Sequence, residues 1–288
     1  MQSFTQNDQT IAYEVVGDGP PVLLLHGFPQ TRALWRQVAP RLASRNTLIL
    51  PDLRGYGASS KPAARDDLEN YSFRAMGADM LSLMTELGHR RFHLVGHDRG
   101  GRVAHRMALD AQDRIESLTV MDIVPTLYLL EHWSAEVSRA YFHWSFLAQP
   151  APLPERMIGA DPDQFFERCL LGWGGAALVD FAELAAYRTA WRDPETIAGM
   201  VNDYRAAVTV DLGHDRTDRD RRVDCPSLVL YGASGAMARH FDVGATWASS
   251  LSDYRTEAIP GGHFFVDQSP EATARSLAAF LDSVPMSG

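Results

Sequence analysis

Cysteine is nearly absent from this chain: Cys169 and Cys225 are the only two in 288 residues, too few for a disulfide framework. Reduced thiols fit a cytoplasmic protein, and Cys225, just before Pro226 at the entry to an apolar run, reads as a buried structural thiol. Long apolar runs are missing too. None approaches the roughly 18 residues needed to span a membrane, and Met1 to Asp8 offers neither a basic leader nor an apolar core, so neither membrane association nor a signal peptide is expected. Positive charge is in deficit, with a net charge of -9, which argues against a nucleic-acid partner. The basic cluster at 216–222 alternates with Asp218 and Asp220 and reads as a solvated segment. There is no internal repeat or low-complexity tract. What remains, with 45% hydrophobic residues, suits one large α/β domain carrying an insertion.

Strand-like and helix-like segments alternate through the first part of the chain. Phe4 to Gln6 and Thr10 to Val16 flank a polar turn and predict a hairpin. Val22 to Leu25 is wholly apolar, as in a central parallel strand buried on both faces, and delivers His26-Gly27-Phe28-Pro29-Gln30. Ala33 to Leu42 shows a helical stripe, Asn46 to Leu50 a strand, and Ser72 caps a predicted helix through about Leu87. After strand Phe92 to Val95 and helix Val103 to Leu109 comes strand Ser117 to Met121. From Pro125 to about Asp215 the alternation stops and aromatic, helix-like segments take over. Strand patterns resume at Ser227 to Tyr231 and Tyr254 to Ile259, before a helix over Glu271 to Leu281. The expected architecture is α/β, with a mostly parallel sheet and its site at the carboxyl ends of the strands. The core comprises 1–124 and 216–288, and a helical cap is inserted at 125–215.

The chemistry centres on Gly96-His97-Asp98-Arg99-Gly100-Gly101-Arg102. Strand, sharp turn and helix in that order form the setting of the Gly-x-Ser-x-Gly nucleophile elbow, with Asp98 at the serine position. A carboxyl with an ordinary pKa of about 3.9 is ionised at neutral pH and needs no base before it attacks. Such a nucleophile suits displacement at saturated carbon, leaving an ester that water must hydrolyse with help from a histidine. His263, after the last strand, supplies the base. Asp122, at the end of an earlier strand, is its orienting acid, with Asp242 as the second choice. The order nucleophile, acid, histidine is that of the α/β-hydrolases. His93 reads as structural, and His97 as a packing or hydrogen-bonding group beneath the elbow. Arg99 and Arg102, three apart at the start of the elbow helix, are either a solvated pair or a bidentate clamp that sets a carboxylate's α-carbon beside Asp98.

These stretches resemble the fluoroacetate dehalogenases, a haloacetate-hydrolysing branch of the α/β-hydrolases. The resemblance runs through His26 to Gln30, Asp52-Leu53-Arg54-Gly55-Tyr56-Gly57, Gly96 to Arg102, Asp122-Ile123-Val124-Pro125-Thr126, Tyr141-Phe142-His143-Trp144, Gln149 to Glu155, Asp203-Tyr204-Arg205-Ala206 and Gly261-Gly262-His263. The paired arginines and the His143-Trp144 dipeptide are its most specific parts. It implies that Asp98 is the nucleophile, His263 the base, Asp122 the orienting acid, and Arg99 with Arg102 the carboxylate clamp. It further implies a halide pocket of His143, Trp144 and Tyr204, an oxyanion hole from the backbone N–H groups of Phe28 and Arg99, and Trp173 as a cap residue over the substrate. Fluoride is a poor leaving group and needs several donors aimed at its developing charge.

The expected reaction is hydrolysis of a short 2-haloacid to a 2-hydroxyacid and halide. The partner is then the small haloacid, no metal or organic cofactor is called for, and a homodimer is what the resemblance implies. One rival is epoxide hydrolysis by the same Asp98, His263 and Asp122 with cap tyrosines Tyr187 and Tyr204, which leaves two arginines unused. The other is a silent binding module, against which stands a complete triad.

Overall fold

The strand-forming segments assemble into a largely parallel sheet that is covered on both faces at its centre and exposed at its last strand. In the computed structural model, which describes residues 1–286, the strands are β1 (Gln2–Gln6), β2 (Gln9–Val16), β3 (Pro21–Leu25), β4 (Thr47–Pro51), β5 (Phe92–His97), β6 (Ile115–Met121), β7 (Ser227–Gly232) and β8 (Tyr254–Ile259). They form one sheet in the order β1-β2-β4-β3-β5-β6-β7-β8. β2 runs antiparallel to both neighbours, and every pairing from β4 to β8 is parallel. β5 and β6 are buried along their whole length, as strands at the centre of a doubly covered sheet must be. The opening hairpin turns on Asn7 and Asp8, both at positive φ, a backbone that asparagine and aspartate tolerate and that matches the twist of the strands.

Two helices flank the elbow. α1 (Phe73–Glu86) starts where the Ser72 hydroxyl accepts the N–H of Ala75, which satisfies one of the free donors of its first turn. α2 (Arg99–Asp110) follows β5 directly. The helix expected over Ala33 to Leu42 is instead a 3₁₀ turn, Arg32–Arg36, and a short helix, Ala39–Leu42. Pro40 lacks a donor for a continuing helix and sits comfortably only in a first turn.

Between β6 and β7 the chain is helical: α3 (Thr126–Glu131), α4 (Ala135–Ala140), α5 (Phe142–Leu147), α6 (Leu153–Ala160), α7 (Pro162–Gly172), α8 (Leu184–Trp191), α9 (Pro194–Ala206) and α10 (Leu212–Thr217). α9 runs into α10 through a π turn, Ala207–Asp211. The chain then returns to the sheet and ends in α11 (Pro270–Ser283). The insertion lies over the loop after β3, where Phe28 meets the rings of His143, Phe166, Trp173 and Tyr204.

Two expectations change. The 216–222 segment is anchored rather than merely solvated: the buried Arg106 of α2 takes Asp215 and Asp218, and Arg221 donates to the Leu109 carbonyl. A buried guanidinium needs acceptors, and α2 finds them there. Cys225, two residues before β7, is only half-buried; burial still pushes its thiol up to about 11.

Candidate active site

Asp98 occupies the turn between β5 and α2 with φ 47° and ψ -116°, a backbone costly for any residue but glycine and held only by its surroundings. The surroundings here are the crossing of Gly96 over Gly100, where a Cβ on Gly96 would overlap the Gly100 carbonyl. The turn leaves Asp98 6% exposed. Its Oδ2 accepts the Phe28 N–H at 3.0 Å. Burial alone would raise its pKa, but His263, His97, Arg102 and Arg99 together hold the carboxyl below its usual range.

Asp122 ends β6, also at positive φ (50°). One oxygen accepts the Gly232 N–H at 2.8 Å and the other lies 2.7 Å from His263 Nδ1. With Nδ1–H donating to Asp122, Nε2 keeps its lone pair; it has no hydrogen-bond partner and stands 4.0 Å from Asp98 Oδ1. Burial would lower the pKa of His263, yet the Asp122 hydrogen bond and charge outweigh it and raise it. His97 lies beneath the elbow, its Nε2–H donating to the His263 carbonyl at 2.8 Å, and burial pushes it down to about 4, so it is neutral. Asp242 is not near this histidine: it accepts the Ala245 N–H and caps a short helix.

Arg99 and Arg102 are both buried, which rules out a solvated pair. Arg99 gives Nε and Nη2 to the carboxylate of Asp203 on α9. Its Nη1 has no partner. Its guanidinium lies 4.2 Å from the centre of the Tyr204 ring and 5.1 Å from that of Trp144. Burial works against the Arg99 charge, but Asp203 reverses that effect and raises its pKa further. Arg102 spends Nη1 on the Val124 carbonyl and the Thr126 hydroxyl, both at 3.0 Å, and its Nε is unpartnered. Burial first and Arg99 second pull its pKa down to about 10, still a cation at neutral pH. Each arginine is therefore fixed by some of its donors and keeps another free.

The insertion brings His143, Trp144 and Tyr204 to the same place. The ring of Tyr204 stands 5.4 Å from that of His143 and 5.3 Å from that of Trp144, nearly perpendicular to both. The Tyr204 hydroxyl and His143 Nδ1 are buried without partners. Burial keeps His143 neutral and the Tyr204 hydroxyl protonated, so both are available as neutral hydrogen-bonding groups. Trp173 packs 4.2 Å from His143 and 5.3 Å from His263 by ring centres, and its carbonyl accepts the His263 N–H at 3.1 Å. Tyr187 lies apart from this group, its hydroxyl donating to Asp267 at 3.2 Å.

Two residues escaped the sequence reading. Asp203 fixes Arg99; it stands beside Tyr204 in a noted stretch, but a partner 104 residues distant leaves no local signal. Tyr141 packs against His143 and Trp173 with its hydroxyl buried and unpartnered; its signal was its place two residues before His143. Among the described residues no group of three or more His, Cys, Asp or Glu side chains is arranged to hold a metal ion. The arrangement suits an ionised nucleophile beside a polarised histidine, with two cationic donors for an anion and neutral donors for a leaving group.

A model of the alpha/beta hydrolase fold family matches residues 20–270. The chain is 54% identical over 276 residues to a fluoroacetate dehalogenase of Burkholderia sp, covering 95% of this chain and 91% of the relative. It is 40% identical over 121 residues to a soluble epoxide hydrolase of Corynebacterium sp. (strain C12), a match covering 42% and 41% of the two chains. Its fold superposes with a TM-score of 0.95 on the crystal structure of an alpha/beta hydrolase from Nostoc sp PCC 7120, at 42% identity and 97% coverage of both chains.

Proposed function

This chain belongs to the alpha/beta hydrolase fold family and, within it, to the fluoroacetate dehalogenase family of hydrolases acting on carbon–halide bonds, and from that premise we propose that it hydrolyses short 2-haloacids through an ester on Asp98. The observation that carries this reading is the set of unpartnered buried donors around Asp98: Arg99 Nη1 and Arg102 Nε for a carboxylate, and the Tyr204 hydroxyl with the His143 ring for a halide.

In the first step Arg99 and Arg102 hold the substrate carboxylate, which places the α-carbon next to Asp98. Asp98 Oδ1, the oxygen not bonded to Phe28, attacks that carbon. The new C–O bond forms as the carbon–halogen bond breaks, and the electron pair leaves with the halide. Hydrogen bonds from His143, Trp144 and Tyr204 offset the charge developing on it. Trp173 encloses the site, and the smaller water content strengthens each of these interactions.

In the second step His263 Nε2 removes a proton from water, and the resulting hydroxide attacks the ester carbonyl carbon of Asp98. The oxyanion takes the Phe28 N–H that already donates to Oδ2, together with the Arg99 N–H. Collapse breaks the ester C–O bond; protonated His263 returns its proton to the departing alkoxide, which leaves as the 2-hydroxyacid, and the carboxyl formed on Asp98 loses its proton to solvent, restoring the carboxylate. The Asp122 hydrogen bond holds the tautomer of His263 that leaves Nε2 free. This step requires neutral His263, so it slows as pH falls through the raised pKa of that residue.

Ion-selective measurement of fluoride and chloride release from matched haloacetates tests the reading. Asp98→Asn is expected to release no halide in a freshly prepared sample. His263→Gln should release about one equivalent of halide and then stop, with intact mass rising by one carboxymethyl group. Halide release by Asp98→Asn at the wild-type rate would refute the ester mechanism. Epoxide opening has one observation in its favour, the unpartnered hydroxyls of Tyr141 and Tyr204; turnover of styrene oxide without halide release from any haloacetate would select it.

A further inference from the structure

Asp98 is almost wholly enclosed, so an anionic substrate must pass the insertion to reach it, and a chain of net charge -9 repels anions at long range. On the outside of the insertion lies a groove of about 710 Å³ lined by Arg139, Phe142, Phe146, Met157, Arg168 and Trp173. Trp173 lines the groove and also packs against His143 and His263. Phe142 is 48% exposed in the groove, while the next residue, His143, is buried beside Tyr204.

Among the described residues neither the Arg139 nor the Arg168 side chain makes a hydrogen bond or close ion pair, although Arg139 acts on Glu136 at longer range. Two acids lie with them and keep their charge: Asp161, which lines the groove and accepts the Gln164 N–H, and Glu136, which accepts the Ser134 hydroxyl. By contrast Arg188, Arg192 and Arg205 of the same insertion are each held by a carboxylate. A paired arginine adds little field; the groove sets two arginines against one acid, Asp161, so its lining is net positive over an apolar surface and concentrates anions without offering a buried, fully hydrogen-bonded trap.

We propose that this groove is the entry vestibule of the active site and that Arg139 and Arg168 gather short haloacid anions there before they pass Trp173 to Arg99 and Arg102. The inference rests on the haloacid reading above. The arginines act before the chemistry, so they bear on kcat/KM and not on the rate from bound substrate, and salt screens them.

Chloride release from chloroacetate by wild type and by the Arg139→Glu/Arg168→Glu double variant, over a range of ionic strength, supplies the test. At low salt kcat/KM of the double variant is expected to fall about tenfold, and the gap should close toward about 0.5 M salt, with kcat held within about twofold. Equal kcat/KM at low salt, or a deficit that salt leaves unchanged, overturns the proposal. A second arm plugs the groove. In a Cys225→Ser background, Met157→Cys carrying a bulky polyethylene-glycol maleimide should lose most of its kcat/KM, while the same label on Val179→Cys, which is 88% exposed and outside the groove, should not. Full activity with Met157→Cys labelled also overturns it. A wild type that releases no halide sinks the haloacid reading and the vestibule together, whereas normal release with unaffected variants sinks the vestibule alone.

Discussion

Asp203 accepts two donors of Arg99 and, at 2.6 Å, the Tyr56 hydroxyl, all of them buried. A guanidinium taken out of water without a partner is expensive, and breaking such a pair from one end typically costs about 3–5 kcal/mol. Asp203→Asn is therefore expected to lose about that much stability in urea unfolding, and to lower kcat/KM for haloacetate by more than about tenfold because Arg99 Nη1 is no longer fixed. Tyr56→Phe removes one acceptor bond and leaves the ion pair, so about 1 kcal/mol and little change in rate are expected. Similar rates for Asp203→Asn and wild type would mean that Arg99 does not orient the substrate. At this scale the sequence showed residue types and their strand-end positions, enough to single out Asp98, Asp122 and His263. It did not show which donors of each arginine are already spent, because those partners, Asp203 for Arg99 and the Val124 to Thr126 segment after β6 for Arg102, are distant in sequence.

The turn after α7 shows how an element positions a side chain far from it in sequence. Gly174 lies against Gly262 of the His263 loop; a Cβ on it would overlap Gly262 Cα, and its φ of 150° disfavours a side chain in any case. Gly174→Ala is expected to push the Trp173 turn off the His263 loop. Small misplacements at a reacting centre can cost about a hundredfold in rate, so kcat should fall steeply, and the urea midpoint should fall with it because the displaced turn carries the buried Trp173. A loss of stability without a loss of kcat would contradict this. Elements with strong signals were legible: the wholly apolar run Val22 to Leu25 became β3, the segments Phe92 to Val95 and Ser117 to Met121 became β5 and β6, and the Ser72 cap starts α1. Pro40 divided a predicted helix because apolar spacing continues through a residue that cannot donate. The Gly172-Trp173-Gly174-Gly175 run could be read as a break between helices, but the close approach that requires Gly174 is made by a loop about ninety residues later.

Across the whole molecule, alternation of strand and helix conveyed the parallel sheet, and its interruption conveyed the insertion. How the insertion is fastened was not legible, since the fastening consists of buried polar contacts between distant segments. Asp267, four residues after His263, accepts Gln30 Nε2 at 2.8 Å and the Tyr187 hydroxyl at 3.2 Å, so it joins the loop that carries Phe28 to α8. Burial, opposed by those two hydrogen bonds and reinforced by Glu183 and Asp180, pushes its pKa up to about 7. In the unfolded chain the same carboxyl titrates near 3.9. Between those values the folded protein binds more protons than the unfolded one, so the contribution of Asp267 to stability is full below about 3.9, falls as pH rises toward about 7, and then levels off. Asp267→Asn can still accept from Gln30 and donate to Tyr187, but it does not titrate. Urea unfolding at about pH 5 and about pH 8 should show a loss on the order of a few kcal/mol in wild type that is largely absent in the variant. If the difference between the two proteins stays constant with pH, ionisation of Asp267 does not govern how α8 is fastened to the core.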